Sequence, residues 1–159
     1  MSVRVTQDNL KAVLANVRSF GSKHVLIGIP SDENKRDDGP IGNAQLGYIH
    51  ENGSPANNIP PRPFLKPGVA AAKDKCLGVL KNAAKAGFKD PAAIDKGLNA
   101  SGLIGQASVK NTLRAGEGFA PLKPATIAAR KRKGAKGKKP LIRTGQLLNS
   151  ITYVVREKK

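Results

Sequence analysis

The chain has no tryptophan and only one cysteine, Cys76, among its 159 residues. A lone cysteine excludes an intrachain disulfide and any zinc site that needs several thiolates. Aromatic residues make up 4% of the sequence, so the core must consist mainly of Val, Ile, Leu and Ala side chains. Because alanine buries little surface, and burial contributes about 25 cal/mol per Å² of apolar area, we expect a thin core that oligomerisation supplements.

Acidic residues are also scarce, since 11 Asp and Glu face 28 Lys and Arg, and the formal net charge is +17. Such self-repulsion disfavours a compact state unless an anionic partner or spatial separation relieves it. There is no signal-like apolar run at the start and no apolar run of the roughly 18 residues that a membrane span requires. We therefore expect a soluble intracellular protein without a membrane partner, folded as a single domain over residues 1–159.

The usual motifs of catalysis and metal binding are missing. Neither His24 nor His50 has a second His or Cys at ligand spacing, and Ser54 stands where an HExxH motif beginning at His50 would need its second histidine. Phosphate-loop, dinucleotide-binding and nucleophile-elbow motifs do not occur. The acidic residues between 31 and 42 cluster with Lys35 and Arg36 among them, which is typical of a solvated surface loop. We expect no enzyme activity, no metal and no cofactor.

Hydrophobic spacing predicts helices and two strands. Apolar residues at intervals of three and four predict helices over residues 6–20, 43–53, 64–86, 91–115 and 124–131, and β-branched runs predict strands over 23–29 and 151–157. Gly97, Gly102 and Gly105 weaken the second long helix, so we expect a break or close packing near 101–105. The pattern predicts an α+β fold with a small, mostly antiparallel sheet packed against two long helices, and with extended loops or arms.

Five prolines fall between residues 54 and 68 and predict an extended arm over 54–63. Arg62 would place a cation beside Phe64, where it could pair or stack across a subunit interface. The residues assigned to this subunit-interface arm are Ile59, Pro60, Pro61, Arg62, Pro63 and Phe64.

The most basic stretch, RKRKGAKGKK, begins at Arg130. Gly134, Gly137 and Pro140 interrupt any helix, so residues 130–140 are predicted to form a flexible loop. Such a loop would either contact DNA phosphates without sequence readout or meet acidic surfaces of an adjoining protein, and we slightly favour the protein. Its candidate anion-facing residues are Arg130, Lys131, Arg132, Lys133, Lys136, Lys138 and Lys139.

Three segments resemble, in this order, the tail-completion or head-tail joining proteins of tailed bacteriophages, a group that includes the Mu-like virion morphogenesis proteins. They are YIHENGSPANNIPPRPFLKPGV (48–69), GFAPLKPATIAARKRKG (118–134) and KPLIRTGQLLNSITYVV (139–155), here called the first, second and third segments. The chain departs from the family pattern at Asn52, where an aromatic is usual, and at Phe119, where tryptophan is usual.

Several residues of these segments have an expected structural role. Gly53 would reverse the chain, Leu141 would be buried, and Thr144 would cap a helical turn that delivers Ile151 to the sheet. The full set of structural-motif residues is Gly53, Leu141, Thr144, Gly145, Leu147, Ser150 and Ile151.

The resemblance implies a non-enzymatic virion protein of the phage neck, assembled in the host cytoplasm. Its partners would be further copies of itself, in a ring of about six by that resemblance, together with connector or head-completion proteins and tail-tube or tail-terminator proteins. Non-specific contact with genomic DNA is also implied. The net charge of +17 motivates an alternative, a non-specific DNA-binding accessory protein of phage packaging or assembly. A small hydrolase would depend on His50, Glu51 and the loop acids alone.

Overall fold

The computed structural model describes residues 10–31, 40–134, 137 and 139–158. The described helices are α1 (Leu10–Ser22), α2 (Asn43–Asn52), α3 (Leu65–Gly87), α4 (Ala92–Ala115), α5 (Pro124–Arg132) and α6 (Gln146–Asn149), and the strands are β1 (Lys23–Gly28) and β2 (Thr152–Glu157). This arrangement confirms the predicted α+β class. The first residues of the helix predicted over 6–20, and most of the loop predicted over 31–42, lie outside the described residues.

The described sheet has two antiparallel strands that come from the two ends of the chain. Lys23 lies opposite Glu157 and Gly28 lies opposite Thr152, which brings the N-terminal and C-terminal parts of the fold together. Both strands match the predicted runs to within a residue at each end. The β-branched residues that predicted them fit the pleated surface of a sheet.

The two long helices, α3 and α4, form an antiparallel pair held close by residues with little or no side chain. A Cβ added at Gly68 would lie 2.6 Å from the Cα of Val109, so the two backbones meet at this point. Further along the pair, a Cβ at Gly97 would overlap that of Ala83. The hydroxyl of Ser108 also donates to the carbonyl of Gly68 at 2.7 Å.

Helix α4 is continuous, so of the two outcomes predicted near residues 101–105 the break is wrong and the close packing is confirmed. Gly102 faces the ring of Tyr153, and Gly105 faces the Ile27 side chain. The glycines therefore form the surface on which both strands lie. Gln106 adds a polar contact by donating from Nε2 to the carbonyl of Ile151 at 2.9 Å.

The main core is a small cluster at the end of the helix pair where the sheet begins. Its five buried side chains are no more than 3% exposed: Phe64, Val109, Leu113, Leu147 and Ile151. They come from the start of α3, the second half of α4 and the segment around α6. Half-buried side chains such as Phe119 and Ile142 pack around this cluster.

We predict opposite effects for two alanine substitutions in α3. Gly68→Ala should lower the free energy of unfolding by roughly 1–3 kcal/mol, since its methyl group would press on the backbone at Val109. Gly78→Ala should raise it by up to about 1 kcal/mol, because that glycine has open space around it and alanine favours helix. Urea denaturation followed by circular dichroism measures both. A loss of stability in both variants would contradict this account of the helix contact.

A cationic pocket where the three segments meet

Glu51 joins the end of α2 to the start of α3. Its carboxylate accepts hydrogen bonds from the backbone N–H groups of Phe64 and Leu65, both at 2.8 Å, and of Lys66 at 2.9 Å. These donors belong to the first turn of α3, where a negative charge also complements the helix dipole. Gly53, at φ 77°, ends α2 and turns the chain, as predicted.

Arg62 connects the first segment to the second. It is 6% exposed, and it donates from Nε to the carbonyl of Ala120 at 2.8 Å and from Nη2 to that of Pro121 at 3.2 Å. Its own backbone N–H donates to the carbonyl of His50 at 2.7 Å. Phe64, at 2% exposure, lies in the core. Both side chains thus bind within their own chain, which corrects their assignment to a subunit interface.

The first part of the predicted arm forms a turn and not an extended segment. Residues Pro55–Asn57 form a single 3-10 turn, and Ser54 and Ile59 pair across it as an antiparallel bridge. Proline favours the first position of such a turn, and Asn58, at φ 53°, is of a type that tolerates the left-handed conformation closing it. Residues 60–63 form no helix or strand. Among them Pro60 is half-buried, whereas Pro61 and Pro63 are exposed.

The third segment places its apolar residues much as expected. Leu141 is half-buried, while Leu147 is 3% exposed and Ile151 is fully buried just before β2. The hydroxyl of Ser150 donates to the carbonyl of Leu147 at 2.9 Å, which closes the short helix.

The cap of α6 differs from the prediction by one residue. Gly145, in the left-handed conformation at φ 81°, takes the N-cap position and provides no side-chain cap. Thr144 precedes it, with its hydroxyl 3.5 Å from the backbone N–H of Gln146. Glycine is needed here because the chain must enter the helix through a positive φ.

The basic stretch begins as helix, not as loop. Residues 130–132 form the last turn of α5, and the side chains of Lys131, Arg132 and Lys133 are exposed. Lys136 and Lys138 lie outside the described residues. Lys139 is exposed and donates from Nζ to the carbonyl of Arg114 at 3.2 Å. A helix forms up to Arg132 because the first glycine of the stretch comes only at 134.

Arg130 connects the second segment to the third. Its Nη1 lies 2.8 Å from the carbonyl of Lys139, 3.4 Å from that of Gly137 and 3.5 Å from that of Ile142. Arg130 is half-buried, unlike the cations that follow it in the stretch. It therefore holds the chain between α5 and α6, whereas its neighbours in sequence face solvent.

Residues of all three segments line a pocket of about 410 Å³. Four cationic side chains contribute to its wall, and no aspartate or glutamate does: the four are Arg62, Lys123, Arg130 and Arg143. Burial, and then the positive charges of Arg143 and Arg62, lower the pKa of the Arg130 guanidinium from its usual value. The pocket is therefore a concentration of positive charge that favours an anion. His50 also lies at its edge.

The described residues contain no group of three or more His, Cys, Asp or Glu side chains placed to hold a metal ion. Within the same part of the chain, no helix is long and apolar enough to cross a membrane. Comparison with protein-family models, curated proteins and solved structures finds no match to this chain. Its function must therefore be inferred from its own motifs and geometry.

We predict that Arg62→Lys destabilises the fold although it keeps the charge. A lysine ammonium cannot reproduce the forked contact with the carbonyls of Ala120 and Pro121, so one part-buried hydrogen bond of the buried residue 62 is lost. The free energy of unfolding should fall by roughly 1–3 kcal/mol, measured by urea denaturation. Arg114→Lys, at an exposed position of α4, is the matched control and should change it by less than about 0.5 kcal/mol. Equal changes in the free energy of unfolding of the two variants would contradict the role of Arg62 in joining the first segment to the second.

Proposed function

We propose that this chain is a structural, non-enzymatic protein of the neck of a tailed bacteriophage. It would form an oligomeric ring that completes the tail or joins it to the head or connector, and it would reside in the virion. The proposal starts from the ordered resemblance of three segments to neck proteins. It gains support from their packing, since side chains of one segment bind the backbone of the next.

Two such contacts connect the segments in sequence order. Arg62 of the first holds carbonyls of the second, and Arg130 of the second holds those of Lys139 and Ile142 in the third. Residues of the first and third segments also share the buried core. Because the three segments contact one another, their joint resemblance to neck proteins supports the proposal more strongly than the resemblance of any one segment.

The observation that supports ring formation is the exposed apolar surface of α1. None of its residues is buried, and the apolar side chains of Leu10, Leu14 and Val17 are 62%, 46% and 53% exposed. Next to it in sequence, the described sheet has only two strands, and Leu26 of β1 is 45% exposed. A two-stranded sheet is marginal in water without further packing, and a second copy covering this surface would supply it.

The net charge opposes association between copies, whichever surfaces meet. A formal charge of +17 on each copy repels the next copy, so a ring needs apolar contacts that offset this repulsion. A head-to-tail contact joins two different surfaces and closes into a ring when the rotation between copies permits. By the resemblance, the ring would hold about six copies and would meet connector and tail proteins above and below.

The exposed cations that follow Arg130 favour the second candidate, a non-specific DNA-binding accessory protein of packaging or assembly. Lys131, Arg132 and Lys133 project from the end of α5 into solvent. Each phosphate that such residues neutralise releases about one counterion, so duplex affinity would fall steeply with salt. The two candidates differ in what association requires: the ring depends on apolar contacts of α1, whereas DNA binding depends on these cations.

We predict that Leu14→Lys prevents self-association, because it places a charge in the apolar surface of α1. Ala15→Lys is the matched control, since it adds the same charge to an exposed position at the next residue of the same helix. Native mass spectrometry and sedimentation velocity should show rings for the wild type and the control, and monomers for Leu14→Lys with an unchanged circular dichroism spectrum.

A wild-type protein that remains monomeric at all concentrations, and that does not attach to purified tails or connectors in electron micrographs, would overturn the neck assignment. If the same protein binds duplex DNA with a steep salt dependence, and loses that binding when Lys131, Arg132 and Lys133 are replaced by glutamine, the second candidate is favoured instead.

A further inference from the structure

We propose that the pocket between the three segments is a binding site for a phosphate-type anion, held by Arg62, Lys123, Arg130 and Arg143. This site is distinct from the exposed cations at the end of α5, and it does not depend on the neck assignment. The ligand class is a phosphoryl group that carries more than one negative charge, either free in solution or on a nucleic-acid backbone.

The charge of the pocket wall is unbalanced. Four cations line one cavity without a carboxylate among the lining residues. Glu51, the one acidic residue of the first segment, has both carboxylate oxygens engaged with the N-terminus of α3. Burial, and then repulsion from the guanidinium groups of Arg143 and Arg62, lower the pKa of Arg130. An anion bound among them would relieve that repulsion, and its binding energy would include the relief.

Two of the four cations are fixed in place before any ligand binds. Arg62 is held by the carbonyls of Ala120 and Pro121, and Arg130 is held by carbonyls after α5, at the distances given above. Side chains that are already ordered lose little conformational entropy on binding. Lys123 and Arg143 are exposed and line the pocket on its solvent side, where Lys123 also donates from Nζ to the carbonyl of Asn58 at 3.4 Å.

The number of positive charges in the pocket favours a phosphate over a carboxylate as the ligand. A single carboxylate would offset one of the four charges, whereas a phosphate or pyrophosphate offsets two or more. Guanidinium groups match the tetrahedral oxygens of phosphate through paired N–H donors. The hydroxyl-bearing residues Thr126 and Thr144 also line the pocket and can serve as neutral donors. A volume of about 410 Å³ lies within the range of small-molecule sites and accommodates more than one phosphoryl group.

A structural role for Arg62 and Arg130 alone is the competing interpretation, so the test leaves both residues unchanged. The pocket variant is Lys123→Gln/Arg143→Gln, and the matched control is Lys131→Gln/Arg132→Gln, which removes the same two charge types from exposed sites outside the pocket. Binding of pyrophosphate to the full chain is measured by isothermal titration calorimetry at constant ionic strength. Circular dichroism confirms that both variants are folded.

We expect saturable pyrophosphate binding by the wild type, preserved in the control and weakened about tenfold or more in the pocket variant. Wild-type protein that does not bind pyrophosphate, or an equal loss in the two variants, would overturn the proposal, because the attraction would then reflect overall charge. A second arm uses a short DNA duplex. If the pocket variant, but not the control, loses duplex binding as well as pyrophosphate binding, backbone phosphate is identified as a source of the ligand. If the pocket variant loses pyrophosphate binding alone, a free anion is identified, and both results support the site.

Discussion

The close approach of α3 and α4 is the constraint on which the other contacts depend. Glycine and alanine at the crossing points allow the two backbones to touch, and this fixes the height and rotation of α4 relative to α3. From that position α4 presents Val109 and Leu113 to the core and its bare glycine face to the sheet. A bulkier helix pair would displace the strands, and with them the C-terminal segment that completes the core.

The chain is strongly basic, yet it folds with few carboxylates to pair with its cations. Backbone carbonyls take much of the role that acidic side chains have in other proteins, since Arg62, Arg130 and Lys139 each bind them. Two of the acidic residues join separate elements of the fold. Glu51 caps α3, and Asp95 accepts from Lys23 at 2.6 Å, joining the start of β1 to α4. Carbonyl acceptors carry no net charge, so the excess positive charge remains available to anionic partners.

The sequence predicts the fold better than it predicts the site, and the reason is the range of the interactions. Helix and strand positions follow from local spacing of apolar residues, as in α3 and β2. The capping role of Glu51 depends on donors 13 to 15 residues away. The contact of Arg62 with the second segment depends on carbonyls 58 and 59 residues away. No local pattern encodes such distances. The prolines predict an extended arm, whereas Pro55–Asn57 form a turn closed by the bridge between Ser54 and Ile59, because proline suits the first position of such a turn as well as an extended chain.

The turn that begins after Ser54 is anchored on both sides and exposed in its middle. Glu51 and Arg62 fasten the chain before and after it, while Pro55, Ala56 and Asn57 face solvent. Extra residues placed at its tip would lengthen a loop whose ends are already fixed, and each doubling of loop length costs only about 0.6 kcal/mol. This turn is thus a natural place to insert a peptide tag or a fluorescent label, by which the protein could be located in an assembled particle.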